Sequence, residues 1–358
     1  MPPFDATHMK RTLQQILAIA KTTILESVQQ PVAFLILTTG VLSTLLVPVF
    51  QFHRFSEDGR LARDSGLSCM LVFGLVLAIT TAGSAVAAEI TRGTAAAIIG
   101  KPVSRTVFVI SKWLGICGVV LIFWLGISAA TLLAERGASH FVMPDACAHE
   151  GHHSANCEGC DSPGHQVDAL TLTLGFCGVG VAMLFAAFRQ YFGRRRFGVN
   201  AFIGVAVSQM CIVGLCGFYS RFGRIRFLQD GSPPYMTELD WRILTAALLI
   251  LFALMLFASL ATALATRLQT GPVLAICVLV LIIGLAGDAF TASAGLVSWR
   301  GLLAGLMPDI QHFWMCDALA HGGRIAWSYV ADTAVYTLSC CALFLTAGCL
   351  AFRLRDLG

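Results

Sequence analysis

One short polar stretch, DACAHEGHHSANCEGCDSPGHQ, gathers Cys147, His149, His152, His153, Cys157, Cys160 and His165. Thiolate sulfur and imidazole nitrogen are ligands that suit zinc and copper. Cys157-x-x-Cys160 has the spacing of two ligands on a tight turn, and His149 with His153 offers an i, i+4 pair. If a metal binds, Cys157, Cys160 and two of the histidines are the expected ligands. The same thiols could instead form a disulfide, most simply Cys147 with Cys157 or Cys160, where the surrounding compartment is oxidising. The two outcomes compete for the same sulfurs. A third reading is a solvated loop whose histidines do no chemistry.

The second segment with suggestive spacing is Glu89–Lys112, EITRGTAAAIIGKPVSRTVFVISK. Thr94 can cap a short helix through Ala95–Ile99, which Gly100 and Pro102 then end. Ser104 or Thr106 can open the next helix. The result is a short helix between two apolar runs, with Ile98 on an apolar face and Arg92, Lys101 and Arg105 around it. Such a face could fill a groove on another protein. The plain alternative is a basic loop on the cytosolic side of a membrane. A nucleotide site is excluded: from Gly93 to Gly100-Lys101 there are six intervening residues where a phosphate-binding loop has four, and Pro102 stands where a Ser or Thr would hold magnesium.

The elements that must carry these segments are set by composition. Of 358 residues, 57% are hydrophobic and 12% charged, and mean hydropathy is +0.77. Soluble domains carry about 25% charged residues, so the expected solvent is a bilayer. Eight runs reach spanning length: 31–50, 68–90, 113–134, 169–188, 200–220, 243–265, 272–292 and 333–352. Each approaches the roughly 20 residues a helix needs to cross about 30 Å of hydrocarbon. No run shows the two-residue alternation of a barrel. The fold class expected is an all-α integral membrane protein of about eight transmembrane helices, with six to eight as the range, the alternative being that 169–188 and 200–220 form a re-entrant pair.

With both termini inside, the inner segments (1–30, 91–112, 189–199, 266–271, 353–358) hold 14 Lys and Arg, and the longer outer ones hold 10. This bias fits cytoplasmic termini. The outer segment 135–168 then carries the His/Cys loop. Residues 1–30 form a leader followed by an amphipathic helix: Leu13, Ile16, Leu17, Ala20, Ile24, Leu25 and Val28 recur at helical spacing, and Pro31 marks a break before the first span. Residues 31–358 are the transmembrane domain. In segment 293–332, Leu302, Leu303, Leu306, Ile310, Phe313 and Trp314, interrupted by Pro308, read as short helices at the outer leaflet.

The remaining chemistry-bearing residues are weaker candidates. The ten cysteines in or beside the runs read as small packing residues, including Cys340-Cys341, whose side chains diverge by about 100° on a helix. Asp288 reads as a solvated helix end. Arg194-Arg195-Arg196 reads as a positive-inside anchor that could also meet anionic lipid or a partner. No His, Lys or Arg falls inside the eight runs, which counts against proton relay or hydrolysis within the membrane. The small net charge of +4 flanks the spans and gives no reason to expect nucleic acid.

The link resembles the first cytoplasmic link of type-2 ABC transporter permeases. The residues that carry the resemblance are Glu89, Arg92-Gly93-Thr94, Lys101-Pro102-Val103-Ser104-Arg105, Lys112 and Gly115. The amphipathic N-terminal helix, Met307-Pro308-Asp309-Ile310 with Asp317-Ala318-Leu319, and the tail Phe352–Leu357 are also similar to that family. Six spans are usual there, and the additional pair here is 169–188 and 200–220. The resemblance implies a coupling helix seated in a separate cytosolic ABC ATPase subunit, with Glu89, Arg92, Gly93, Thr94, Ile98, Lys101, Pro102 and Arg105 as the coupling residues. It implies ATP bound in the partner, no catalysis in this chain, and a dimer with a second permease copy or homologue. The expected setting is the bacterial inner membrane and its lipids, with a bias toward export. Some permeases of the family serve copper-enzyme maturation, which the His/Cys loop makes an alternative. A membrane-embedded sensor or enzyme without an ATPase is the third reading.

Overall fold

The computed structural model describes residues 6–50, 59–91, 104–138, 140–142, 164–194, 196–217, 239–286, 308–320 and 323–354. Helix α1 spans Ala6–Gln29, and Pro31 at the first position of α2 (Pro31–Leu46) separates the two. A 3₁₀ turn, Val47–Phe50, extends α2. Helix α3 runs Arg60–Thr91, α-helical to Ala82, with a π turn at Gly83–Ala87. Ser104 caps α4 (Arg105–Gly137) by accepting the Val107 backbone N–H at 3.2 Å. Then follow α5 (Ala169–Gly193), α6 (Phe197–Leu215), α7 (Arg242–Ala265), α8 (Thr270–Leu285), the short α9 (Cys316–Ala320) and α10 (Trp327–Arg353).

Seven of these helices, α2 with its extension, α3, α4, α5, α6, α7 and α10, are long and apolar enough to cross a membrane. The protein is an all-α integral membrane protein. The eighth apolar run appears as α8, 16 residues, a length of about 24 Å, and residues 287–292 of that run lie outside the described residues. Helices α5 and α6 each have spanning length, which favours two passes over a re-entrant pair.

Helix α4 is the hub. Its 33 residues extend about 50 Å, and it packs against α1, α2, α3, α5, α6, α7 and α10. Trp124 Nε1 donates to the Ala247 carbonyl of α7 at 2.7 Å. In α6, fully buried Gln209 donates to the Gly175 carbonyl of α5 at 3.1 Å, a polar tie between two otherwise apolar helices. Helix α1 crosses α4 where α4 has no side chains: a Cβ on Gly115 would lie 2.6 Å from Thr23 Cβ, and one on Gly118 2.6 Å from Ile24 Cδ1. Ala20, Thr23, Ser27 and Val28 face this contact side and are buried, whereas Leu13, Leu17 and Leu25 remain exposed.

The segments expected inside do gather at one end of the bundle, here called the inner end. The contacts of Thr23 with Gly115, of the Gln29 carbonyl with Gly198, and of Arg105 with the Phe352 carbonyl place them together. At the opposite end, Gln311 donates to the Leu285 carbonyl of α8, Tyr329 to the His312 carbonyl, and Ile310 and Phe313 are buried. Of the expected outer-leaflet helices, the 3₁₀ turn Gln311–Phe313 and α9 are described; Leu302, Leu303 and Leu306 lie outside the described residues, as does Asp288.

The end of α4 leads into a small antiparallel ribbon, β1 (His140–Val142) with β2 (Gly164–Gln166), pairing Phe141 with His165. This is an addition to the all-α expectation, and it holds the two sides of the 143–163 segment together at their base. Asp168 follows, 4% exposed, and caps α5 by accepting the Thr171 N–H at 3.1 Å.

Candidate coupling site at the inner ends of α3, α4 and α10

The link of residues 92–103 joins α3 to α4, and both of its anchor points are structured. On the α3 side, Glu89 stands in the last turn. On the α4 side, Lys112 is 2% exposed, and its Nζ donates to Glu89 Oε1 at 2.5 Å. The pair closes the link 23 residues apart in sequence. A lysine so thoroughly removed from water needs an opposite charge, because the penalty for an unpaired buried ion is several kcal/mol.

Around the pair lies a compact apolar knot of Val86, Ile90, Phe108, Val109, Ala265 and Phe352. Phe108 and Phe352 stack at 5.8 Å between ring centroids. Lys112 Nζ is 5.6 Å from the Phe108 centroid, and the Arg105 guanidinium is 5.9 Å from that of Phe352. Arg105 also donates to the carbonyls of Phe352 and Arg353, at 3.2 and 3.0 Å. Arg267, just beyond α7, donates to the Ala351 carbonyl at 2.6 Å. Two guanidiniums therefore satisfy the orphan carbonyls at the C-terminus of α10, where the helix dipole favours positive charge. The inner ends of α3, α4, α7 and α10 form one clamped unit at the root of the link.

Of the coupling residues expected from sequence, Glu89 and Arg105 are brought into this unit. Arg92, Gly93, Thr94, Ile98, Lys101 and Pro102 lie outside the described residues. Sequence reading named Lys112 and Phe352 within separate motifs without joining them, and gave Arg267 no role. Arg267 is the one Lys or Arg in the segment between α7 and α8, and that isolation is the signal that could have marked it.

A second buried pair sits at the other end of α4. Arg136, 1% exposed, lies with Nε 3.6 Å from Asp168 Oδ2 and donates through Nη1 to the Cys216 carbonyl at 2.7 Å. It ties α4, the start of α5 and the end of α6. Lys112 and Arg136 are separated by about 36 Å along the helix, more than the roughly 30 Å of hydrocarbon, so the pairs bracket the apolar slab.

The metal candidates are not brought together within the described residues. Cys147, His149, His152, His153, Cys157 and Cys160 lie outside them, and of His165 only the backbone in β2 is described. Among the described residues no group of three or more His, Cys, Asp or Glu has the arrangement of a metal site.

A family model described as ABC-2 family transporter protein matches residues 5–188, just over half of the chain and the portion that runs from α1 to α5. It contains the link and both of its anchors on α3 and α4. No curated protein and no solved structure matches the chain. With its apolar helices and its clamped link inside the matched region, the chain belongs to the ABC-2 family of transporter proteins, as a membrane-spanning permease subunit.

Proposed function

We propose that this permease subunit is driven by a separate cytosolic ABC ATPase that docks on the link of residues 92–103. The observation that carries the reading is the clamp at the root of the link. Glu89–Lys112 ties α3 to α4, and Arg105 ties α4 to the end of α10. A push on the link is then delivered to three spanning helices together rather than absorbed by a loose loop. Ile98 would seat in the ATPase groove, with Arg92 and Lys101 meeting acidic residues at its rim and Thr94 and Pro102 bounding the short helix. ATP binds and is hydrolysed in the partner, and this chain performs no covalent chemistry. Closure of the ATPases would move the link and switch a path, formed by two permease copies or homologues, between inward- and outward-facing states. Both termini lie in the cytosol of a bacterial inner membrane, and export is the expected direction.

The test is to purify the protein from its own cells and look for a co-purifying ATPase. Arg92→Glu with Lys101→Glu should release it while the permease stays folded. A stable, active transporter containing no ATPase would overturn the reading.

A second reading narrows the cargo. The β1–β2 ribbon joins the two ends of the segment bearing Cys147, His149, His152, His153, Cys157 and Cys160, and those residue types fit a metal-binding loop and a role in supplying a copper enzyme. Zinc or copper titration of the reduced protein should then show binding that is lost in Cys157→Ser with Cys160→Ser; no binding under reducing conditions removes it.

A further inference from the structure

We propose that the inner end of the α5–α6 hairpin is a binding site for an anionic phospholipid, with Arg189, Arg194 and Arg196 holding the headgroup phosphate and Phe188 and Phe192 holding the first part of the acyl chains.

Helix α5 turns a continuous apolar face away from the bundle: Leu184 is 72% exposed, and Val181, Phe185, Phe188, Tyr191 and Phe192 are exposed with it. On a spanning helix this face meets acyl chains. Toward the inner end the face becomes aromatic. Phe188 and Phe192 lie 4.5 Å apart, and Tyr191 packs edge-on to Phe192 at 4.9 Å. Rings of this kind settle at headgroup depth. The Arg189 guanidinium is held 5.8 Å from the Phe185 centroid, on the same side as the rings. Phe188, Arg189, Phe192 and Gly193 line an open groove of about 410 Å³, room for a phosphodiester and its glycerol.

The helix stops abruptly at this point. Arg194 has φ 48°, and its backbone N–H returns to the Arg189 carbonyl. The turn brings Arg196, at the cap of α6, close behind in the chain. None of the three guanidiniums forms an ion pair among the described residues. No Asp or Glu occurs between Asp168 and Asp230, so the hairpin supplies no acid of its own to neutralise them. A ligand that meets both the bilayer-facing rings and these cations must carry an anion on an apolar tail. A polybasic cluster at the membrane surface attracts anionic lipid at about 1 kcal/mol per Lys or Arg.

Native mass spectrometry of the purified full-length protein can test this, with phosphatidylglycerol and phosphatidylcholine of identical acyl chains as probes. Phosphatidylglycerol should bind at least about tenfold more tightly. The variant Arg189→Gln, Arg194→Asn, Arg196→Gln should reduce the preference to about twofold or less, with its melting temperature in phosphatidylcholine unchanged; Asn suits the positive φ at 194. If that variant does not fold, Arg189→Gln alone should lower the preference about threefold. Equal binding of the two lipids by the unaltered protein, or a preference untouched by these substitutions, overturns the proposal. So does full displacement of phosphatidylglycerol by an equal concentration of inorganic phosphate, which would identify a site for the free anion.

Discussion

Lys112 and Glu89 have little water to fall back on, so the two charges stand or fall together. Lys112→Met takes the buried ammonium away from a carboxylate that is 19% exposed, and the expected cost is about 3 kcal/mol. The double variant Glu89→Gln with Lys112→Met should recover most of that stability, because two neutral groups need no partner. Thermal melts in detergent of the single and double variants would show it, and equal losses in both would contradict the pairing. Arg136 makes a harsher case. It is 1% exposed and serves both Asp168 and the Cys216 carbonyl, so Arg136→Met should cost about 3–5 kcal/mol and loosen α5 and α6 first. Hydrogen exchange of those two helices, compared with α7, checks that order. The Cys316 thiol, in α9 outside the spans, is pushed up to about 12, chiefly by burial and next by the nearby Asp64 carboxylate, with Arg63 opposing. It stays protonated at neutral pH, which leaves it inert rather than catalytic.

At the scale of elements, the contact of α1 with α4 depends on two absent side chains. Gly115→Leu would drive a side chain into Thr23 and the Ala20 carbonyl, and the neighbour on one side is backbone that cannot swing away. Helix α1 should lift from α4, seen as faster proteolysis after Lys21 with the remaining helices intact. The same face of α1 shows what could be read from sequence. The break at Pro31 and the Ser104 cap are local signals, and both are present in the structure; of the apolar stripe read in α1, Ala20 and Val28 are buried while Leu13, Leu17 and Leu25 are exposed. Seven of the eight apolar runs appear as helices of spanning length, and the eighth is described as the 16-residue α8. The Arg105 bond to the Phe352 carbonyl spans 247 positions, and nothing in the pattern near either residue announces the other. Arg136 and Asp168 stand near the two ends of the outer segment 135–168, whose sequence stands out only for its His/Cys loop. Their burial follows from the packing of three helix ends, which no local window contains.

For the whole molecule, α4 is a central spine with one buried charged pair toward each end. The family match reaches from α1 to α5 and ends before α6, yet the clamp depends on Arg267 and on the last turn of α10. Motifs that are separate in the sequence, the start of α4 and the last turn of α10 at Phe352 and Arg353, are thus parts of one packed unit. That convergence was half legible: the residues were recognisable, and their meeting point was not.

The π turn at Gly83–Ala87 gives that unit a count. A π turn holds one residue more than the α turn it replaces, and Thr270 at the start of α8 packs directly against Gly83, where any Cβ would collide with it. If this turn were drawn out into regular α-helix, the stretch beyond it would screw by about 100° and advance about 1.5 Å, carrying Glu89 off Lys112. The π turn therefore sets the phase at which α3 presents Glu89 to Lys112. Deleting Ser84 would remove the surplus residue and keep that phase. Such a protein should melt no lower than the original; under the proposed coupling it should still bind the ATPase but no longer transport. A loss of transport with folding and docking preserved would tie the π turn to coupling, and unimpaired transport would show that the extra residue is only filling space.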